Sequence, residues 1–367
     1  MKSQTKGARQ TVLIVGGYGV VGSQIARILL QRHPGMIILL GGRNPNRPVP
    51  FEEKSVQTVS VNNMAEDPLE HVTEELTLII NVVNDLEDRL LLSAVRRRIP
   101  LVDVTRWTER FIHAFNKLEE VNTSTPVIFS SGWMGGTAAL FAKIISEGLW
   151  DTHINIHALY SLKDKAGPDS TAYMDRLSIP FDIVENKVKR SVYPMTDPIK
   201  VRFPNDYITK SYRLDTPDHV TLVKDKNISA AHFRIAFDNK ASTCALVAMV
   251  RTGLWGRLSG ERFRRVRHSV LYNPGNGQPH YLVIHIRGRN VEGQYEERTI
   301  QLTDPLGQTH LTALGAAIQA ENIVRAADNY WRNPRAYYPE ELLDLGVSAT
   351  NVFDYYRAHG VVINEAR

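Results

Sequence analysis

Cysteine is nearly missing from this chain, with one residue, Cys244, in 367. That excludes an internal disulfide and any multi-cysteine metal site. Cys244 lies in the apolar, helical-looking run ASTCALVAMV, where a small buried side chain is the expected role. No apolar stretch approaches the roughly eighteen residues needed to span a bilayer. The polar start MKSQTKGARQ is not followed by an apolar core of signal-peptide length. The cytoplasm is therefore the expected location, and no membrane partner is expected. Dense Lys/Arg runs with interleaved aromatics are also missing. The richest stretch, ERFRRVRH at 261–268, reads as a solvated helix face, so no nucleic-acid partner is expected. The net charge of +5 is modest for this length. It suits a phosphate-rich cofactor and an anionic substrate. No two histidines stand at helical metal-ligand spacing beside an acid, so no metal is expected. There is no internal repeat and no low-complexity segment.

What is present is an alternation. TVLIVGG reads as a buried β-branched strand, and SQIARILLQRH as a helix with Ile25, Ile28 and Leu29 on one face. MIILLGG, LTLIINVV, PLVDVT and PVIFSSG are further strands, with DRLLLSAVRRR and RFIHAFNKLEEV as helical stretches between them. Strands alternating with helices predict a parallel sheet covered on both faces. After GWMGGTAALFAKIISEGLW the rhythm changes. HINIHALYSL, HFRIAF, HYLVIHIRGR and EERTIQLTD read as longer, half-polar strands, the last two a hairpin around VEGQ. An antiparallel sheet with one open face is expected there, as a substrate platform. HLTALGAAIQAENIVRAADNYW returns to helical spacing, with small residues at Ala313, Gly315, Ala316 and Ala317 for close packing. A short helix opened by Pro339 and a second helical stretch stopped by Gly360 follow. The fold class read from this order is α/β, a Rossmann doubly wound parallel sheet with an inserted α+β substrate domain. Residues 1–135 and 306–367 form the nucleotide domain with C-terminal return helices, and 136–305 the substrate or dimerisation domain.

Gly17-Tyr18-Gly19-Val20-Val21-Gly22 matches GxGxxG, follows a strand and opens a helix, the context that gives the pattern its meaning. Gly17 is read as permitting the tight turn. Gly19 lets the backbone approach a pyrophosphate, and Gly22 lets the helix pack close to the strand. The helix N-terminus offers free N–H groups to the phosphates. About twenty residues on, where NAD-binding chains carry an acid, this one has Gly41-Gly42-Arg43-Asn44. Arg43, with help from Arg47, attracts a 2′-phosphate, so NADP(H) is the expected cofactor.

Ligands of open parallel sheets lie outside the carboxyl ends of the strands. Three more loops qualify. Asn81-Val82-Val83-Asn84-Asp85 ends one strand, where an Asn holds the cofactor or forms an Asx-turn. Asp103-Val104-Thr105-Arg106-Trp107 ends the next, with Asp103 and Thr105 as cofactor-side candidates and a structural role for Asp103 equally open. Gly132-Trp133-Met134-Gly135-Gly136 ends the last, with Trp133 placed to shield a nicotinamide or to pack at a hinge.

These segments together resemble the saccharopine dehydrogenase-like family of oxidoreductases. The resemblance runs through GGYGVVGSQIARIL, GGR, NVVND, LVDVT, GWMGGTAALFAK, HLTALGAAIQAENIVRA, YYPEELL and AHGVVI. The family's glycines carry over to Gly17, Gly19 and Gly22, and its basic residue to Arg43. The middle domain is the divergent part. The resemblance implies NAD(P)-linked hydride transfer at a C=N bond of an amino-acid or amine-derived substrate, without naming the substrate. A C=C or C=O reductase on the same scaffold, and an NADP-binding sensor without turnover, are the alternatives.

Imine chemistry needs a general acid/base. The segment 160–170 leaves a strand, turns at Gly167-Pro168 and enters a helix capped by Asp169 or Ser170. Lys163 is a candidate acid/base with Asp164 as its partner, and Tyr173 a second proton donor. Lys163 and Lys165 beside that helix start suit a carboxylate-bearing small molecule. His157 alternates with Ile156 and Ala158 and is a further candidate if its strand face covers the cleft. A homodimer is left open.

Overall fold

A computed structural model describes residues 10–49, 51, 54–121, 123, 125–164, 173, 175–258, 263, 277–325 and 335–366. The expected basic stretch 261–268, apart from Phe263, lies outside them. So do Lys165, the Gly167-Pro168 turn and the Asp169/Ser170 cap.

The first third builds a seven-stranded, wholly parallel sheet. Its strands are β1 (Thr11–Val15), β2 (Ile37–Gly42), β3 (Val56–Ser60), β4 (Leu78–Asn81), β5 (Leu101–Asp103) and β6 (Val127–Phe129). The late β15 (Ala336–Tyr337) joins them, in the order β15-β6-β5-β4-β1-β2-β3. Helices α1 (Val20–Arg32), α2 (Arg89–Arg96) and α3 (Thr108–Val121) make the crossovers. Strand order reverses at β1, which has β2 on one side and β4 on the other. That opens a crevice at the carboxyl ends of these strands, the doubly wound arrangement read from the sequence.

Helix α4 (Thr137–Ser146) leads into a nine-stranded mixed sheet. Its central strands are β7 (Trp150–Tyr160), β12 (Ile228–Phe237), β13 (His280–Arg289) and β14 (Tyr295–Asp304). The short β8 (Phe181–Glu185), β9 (Val188–Val192), β10 (Ile199–Arg202) and β11 (Ile208–Arg213) extend one side. The β13–β14 hairpin forms as read. The expectation of an all-antiparallel sheet needs correction, because β12 runs parallel to β7. Four short strands and the one-turn helix α5 (Asp218–Thr221) lie between these two, and they carry the chain back to the starting edge. Helix α6 (Lys240–Arg251) and the short α7 (Leu254–Leu258) follow β12. Cys244 is exposed on α6 rather than buried, because the buried stripe runs through Thr243, Leu246 and Val247.

One face of the second sheet carries Ile154, Ile156, Ala158, Phe233, Ile235, Leu282, Ile284 and Leu302. These pack into the same core as Val12 and Ile14 of β1. Helix α8 (Gln308–Arg325) lies against α1 and is buried along almost its whole length. A Cβ at Gly315 would meet the Gly135 carbonyl at 2.5 Å, which explains the small residues there. After α9 (Ala349–Ala358) Gly360 adopts φ +85°, the expected stop. The last strand β16 (Val362–Ala366) then pairs with β14. The end of the chain therefore belongs to the second sheet and not, as drawn from the sequence, to the nucleotide domain.

Candidate active site

The crevice is a cleft of about 720 Å³ between the first sheet's carboxyl edge, the second sheet and the start of α8. The glycine loop forms one end. Its left-handed residue is Gly16 (φ +85°), so the tight turn rests on Gly16 and not on Gly17. Gly17 is needed for packing, because a Cβ there would meet Leu40 at 2.7 Å. A Cβ on Gly22 would sit 2.4 Å from the Gly16 carbonyl oxygen, so only glycine brings α1 this close to the strand. Gly19 differs. A Cβ there would have one neighbour, the Gly16 oxygen at 3.1 Å, and would otherwise enter open space beside the cleft. Gly19 is also the α1 N-cap, with no side-chain cap bond and no acid in the first turn. The first N–H groups of α1 therefore lack a capping side chain, and Gly19, Val20, Val21 and Gly22 line the cleft. Gly17 does not.

At the end of β2, Gly41, Gly42, Arg43, Asn44 and Arg47 line the rim. Tyr18 packs its ring over Gly42 and donates its hydroxyl to the Pro45 carbonyl at 3.4 Å. Arg43 is exposed, and no described carboxylate pairs with it.

Val82, Val83, Asn84 and Thr105 line the next stretch. Asn81 and Asp103 do not, and their cofactor-side placement is corrected. Both are fully buried beneath the floor. The Asn81 side-chain oxygen accepts Val83 N–H at 3.3 Å, the Asx-turn alternative, and its amide donates to Asp103 at 3.4 Å. Asp103 accepts from Arg106 Nε at 2.8 Å and from Thr105 N–H at 3.2 Å. Thr105 in turn donates its hydroxyl to the Val83 carbonyl at 3.0 Å. Arg106 is 3% exposed and is shared among Asp103, Asp88 and, at 3.5 Å, Asp85. Against the cost of burial, Asp103 and Asp88 hold its guanidinium charged. This cluster sets the floor and leaves Arg106 no freedom to meet a ligand.

Trp133 lines the far end. Its ring lies tilted against Phe233 with centroids 4.7 Å apart, and its indole N–H donates to His280 Nε2 at 3.1 Å. Burial pushes His280 down to about 3, so the ring is a neutral acceptor. Trp133 N–H binds the buried Asp218 carboxylate at 2.8 Å, which also fills the space a side chain on Gly132 would need. Trp133 is thus held by three residues of the second domain, Phe233, His280 and Asp218.

Of the second-domain candidates, the structure brings only Tyr173 to the cleft, where its hydroxyl donates to the Arg106 carbonyl at 3.4 Å. The placement of His157, Lys163 and Asp164 is corrected. His157 points to the opposite sheet face, 1% exposed, with Nδ1 2.8 Å from the Ser211 hydroxyl. Burial, with His285 and Arg234 nearby, pushes its pKa well below the usual histidine range. Lys163 is exposed and off the cleft, in the turn that follows β7. Asp164 is 1% exposed and accepts the main-chain N–H groups of Gln308 at 2.9 Å and Gln278 at 3.2 Å, so it stabilises the start of α8.

The sequence reading missed Tyr160, Leu214, Ile235, Phe237, Trp107 and Gln308, which all line the cleft. Tyr160 shares the strand face of Ile154, Ile156 and Ala158, so extending that alternation by one step would have found it. Its hydroxyl accepts Gln308 Nε2 at 3.0 Å, and burial pushes its pKa up to about 12. Among the described residues, no Asp, Glu, His or Lys lines the cleft. None of them forms a three-ligand metal cluster, and no described helix is long and apolar enough to cross a membrane.

No family model and no curated protein matches this chain. Solved structures do. The apo saccharopine dehydrogenase (L-Glu forming) from Saccharomyces cerevisiae is similar over 97% of this chain and 99% of its own, with a TM-score of 0.65 and 13% identity. Aspartate semialdehyde dehydrogenase II from Vibrio cholerae matches over 88% of this chain and 100% of its own, at TM-score 0.43 and 12% identity. A dipicolinate-bound dihydrodipicolinate reductase from a Paenisporosarcina species covers 90% and 98%, at TM-score 0.39 and 13% identity. The first correspondence bears out the resemblance read from the sequence, as a likeness of fold: this chain has the two-sheet architecture of a saccharopine dehydrogenase.

Proposed function

We propose that this chain is an NADP(H)-dependent oxidoreductase. One observation carries the reading. At the strand-order reversal, the uncapped N-terminus of α1 opens onto the cleft, with Gly19 leaving room for a ligand. Orphan N–H groups at a helix start suit a pyrophosphate. Arg43 and Arg47 at the rim, with no acid beside them in GGRN, suit a 2′-phosphate. Val82, Val83, Asn84 and Thr105 would flank the ribose and nicotinamide, and Trp133 would exclude water from the reacting end. When bound, the cofactor supplies or accepts a hydride. The chain must orient the acceptor and move a proton.

The family resemblance supports a C=N acceptor. The described lining favours the second reading, a C=O or C=C bond. Imine formation from an amine and a carbonyl needs a general acid/base that titrates near neutrality. The described lining offers only tyrosines and arginines as titratable groups. Fluorescence titration with NADPH and NADH tests the cofactor reading. Saturable binding with NADPH preferred supports it, and absence of binding for both overturns it.

A further inference from the structure

The half of the cleft away from Arg43 has an unusual wall. Trp107, Trp133, Leu214, Ile235 and Phe237 supply apolar surface there, and Tyr160 and Tyr173 add their rings. Leu214, Ile235 and Phe237 are each at most 5% exposed, so they present fixed faces and not mobile side chains. Both cations of the described lining, Arg43 and Arg47, stand at the opposite end beside Gly42. Lys163, an expected counter-ion, is exposed and does not line the cleft. Among the described residues, a carboxylate or ammonium bound against this wall would lose its water and meet no oppositely charged side chain, at a cost of several kcal/mol. An apolar body would gain from the same burial.

We propose that this half-site takes an uncharged, largely apolar carbonyl compound, such as an aryl or alkyl ketone or an enone, with Tyr160 Oη holding its oxygen. The inference rests on the NADP(H) reading and names the substrate class for it. The two tyrosines are not equivalent. The Tyr173 hydroxyl proton is directed to the Arg106 carbonyl. Tyr160 accepts from Gln308, which occupies one lone pair and leaves its own proton uncommitted among the described residues. With its pKa raised by burial it stays protonated at neutral pH, a donor and not a base. Reduction then balances. The carbonyl carbon gains a hydride from NADPH, which leaves as NADP+, and the π bond opens onto oxygen. That oxygen takes the Tyr160 proton, and the tyrosinate regains one from solvent.

The test uses the full chain saturated with NADP+, after direct titration has shown that NADP+ binds. Calorimetry compares acetophenone, cyclohexenone and decanal with 2-oxoglutarate and glutamate. At least one uncharged probe should bind about tenfold or more tighter than either charged one. The same probe should drive NADPH oxidation. Tyr160→Phe, a substitution that keeps the ring, should leave NADP+ affinity intact and lower kcat by about a hundredfold or more. Tighter binding of a charged probe, or no binding of any uncharged one, overturns the substrate class while the cofactor reading stands. If NADP+ itself does not bind, both fall.

Discussion

The carboxylate of Asp164 accepts the main-chain N–H of Gln308 at 2.9 Å, and this bond fixes the corner where the two domains meet the cleft. Asp164 follows the first strand of the second sheet, and Gln308 opens the helix that returns to the nucleotide domain. From that position the Gln308 side chain reaches the Tyr160 hydroxyl at 3.0 Å. Asp164→Ala should therefore cost about 1–2 kcal/mol in urea unfolding, as loss of an N-terminal helix acceptor does. NADPH affinity in the folded fraction should stay unchanged. A loss of affinity with no loss of stability would contradict the structural role.

Arg43 should separate the two nicotinamide cofactors. Arg43→Ala removes a charge-assisted contact worth about 1.5–3 kcal/mol, so NADPH should weaken by roughly ten- to hundredfold. NADH should weaken little. Titration of both ligands against the variant checks this, and equal losses would sink the NADP assignment.

The glycines should divide by role. Gly22→Ala places a Cβ 2.4 Å from a carbonyl oxygen and should lower the Tm as well as abolish dinucleotide binding. Gly19→Ala meets one atom at 3.1 Å and should leave the Tm nearly unchanged while weakening dinucleotide binding. Scanning calorimetry with and without NADPH distinguishes the two. Equal Tm losses would show that Gly19 is a packing residue only.

Arg106 is predicted to be structural. Arg106→Met leaves Asp85, Asp88 and Asp103 buried around an apolar chain, a loss of about 3–5 kcal/mol by the usual cost of breaking a buried ion pair. Lys163→Ala, at an exposed site off the cleft, should change neither stability nor turnover by more than about twofold. A large kinetic effect of Lys163→Ala at full stability would restore it as an acid/base.

Glu340 gives a pH signature. Burial, with Asp218 and Glu341 nearby, pushes its carboxyl up to about 8 from a usual 4.5. The fold thus favours the protonated acid. Its contribution is full below about 4.5 and falls as pH rises towards about 8, because in that window only the folded chain keeps the proton. The buried Asp218 carboxyl is also raised by burial and adds in the same direction. Glu340→Gln should therefore flatten the decline in urea midpoint between pH 5 and pH 8. An unchanged slope would place the titration elsewhere.

The nucleotide domain was legible because its signals are local. A β-branched run, a glycine loop and a 3.6-residue stripe specify β1, the turn and α1 within some twenty residues. Even there the sequence places the turn one residue late, since GGYG offers two adjacent glycines and only backbone angles reveal that Gly16 takes positive φ. The second domain was less legible because its contacts are remote. Nothing near His157 in sequence says that Ser211 will cover it, and nothing near Asp164 announces Gln308. The parallel pairing of β7 and β12 is likewise invisible in either strand. Tyr160 was within reach, since it continues an alternation already traced.

The most direct test of the central claim is fluorescence titration of the wild-type chain with NADPH. The account predicts saturable binding with a Kd of about 10 μM or tighter, with NADH about tenfold weaker or worse. It also predicts that NADPH binding is lost in Gly19→Val, whose larger side chain fills the cleft where the pyrophosphate would lie. Unchanged NADPH affinity in Gly19→Val, or no saturable binding by the wild type, would contradict it.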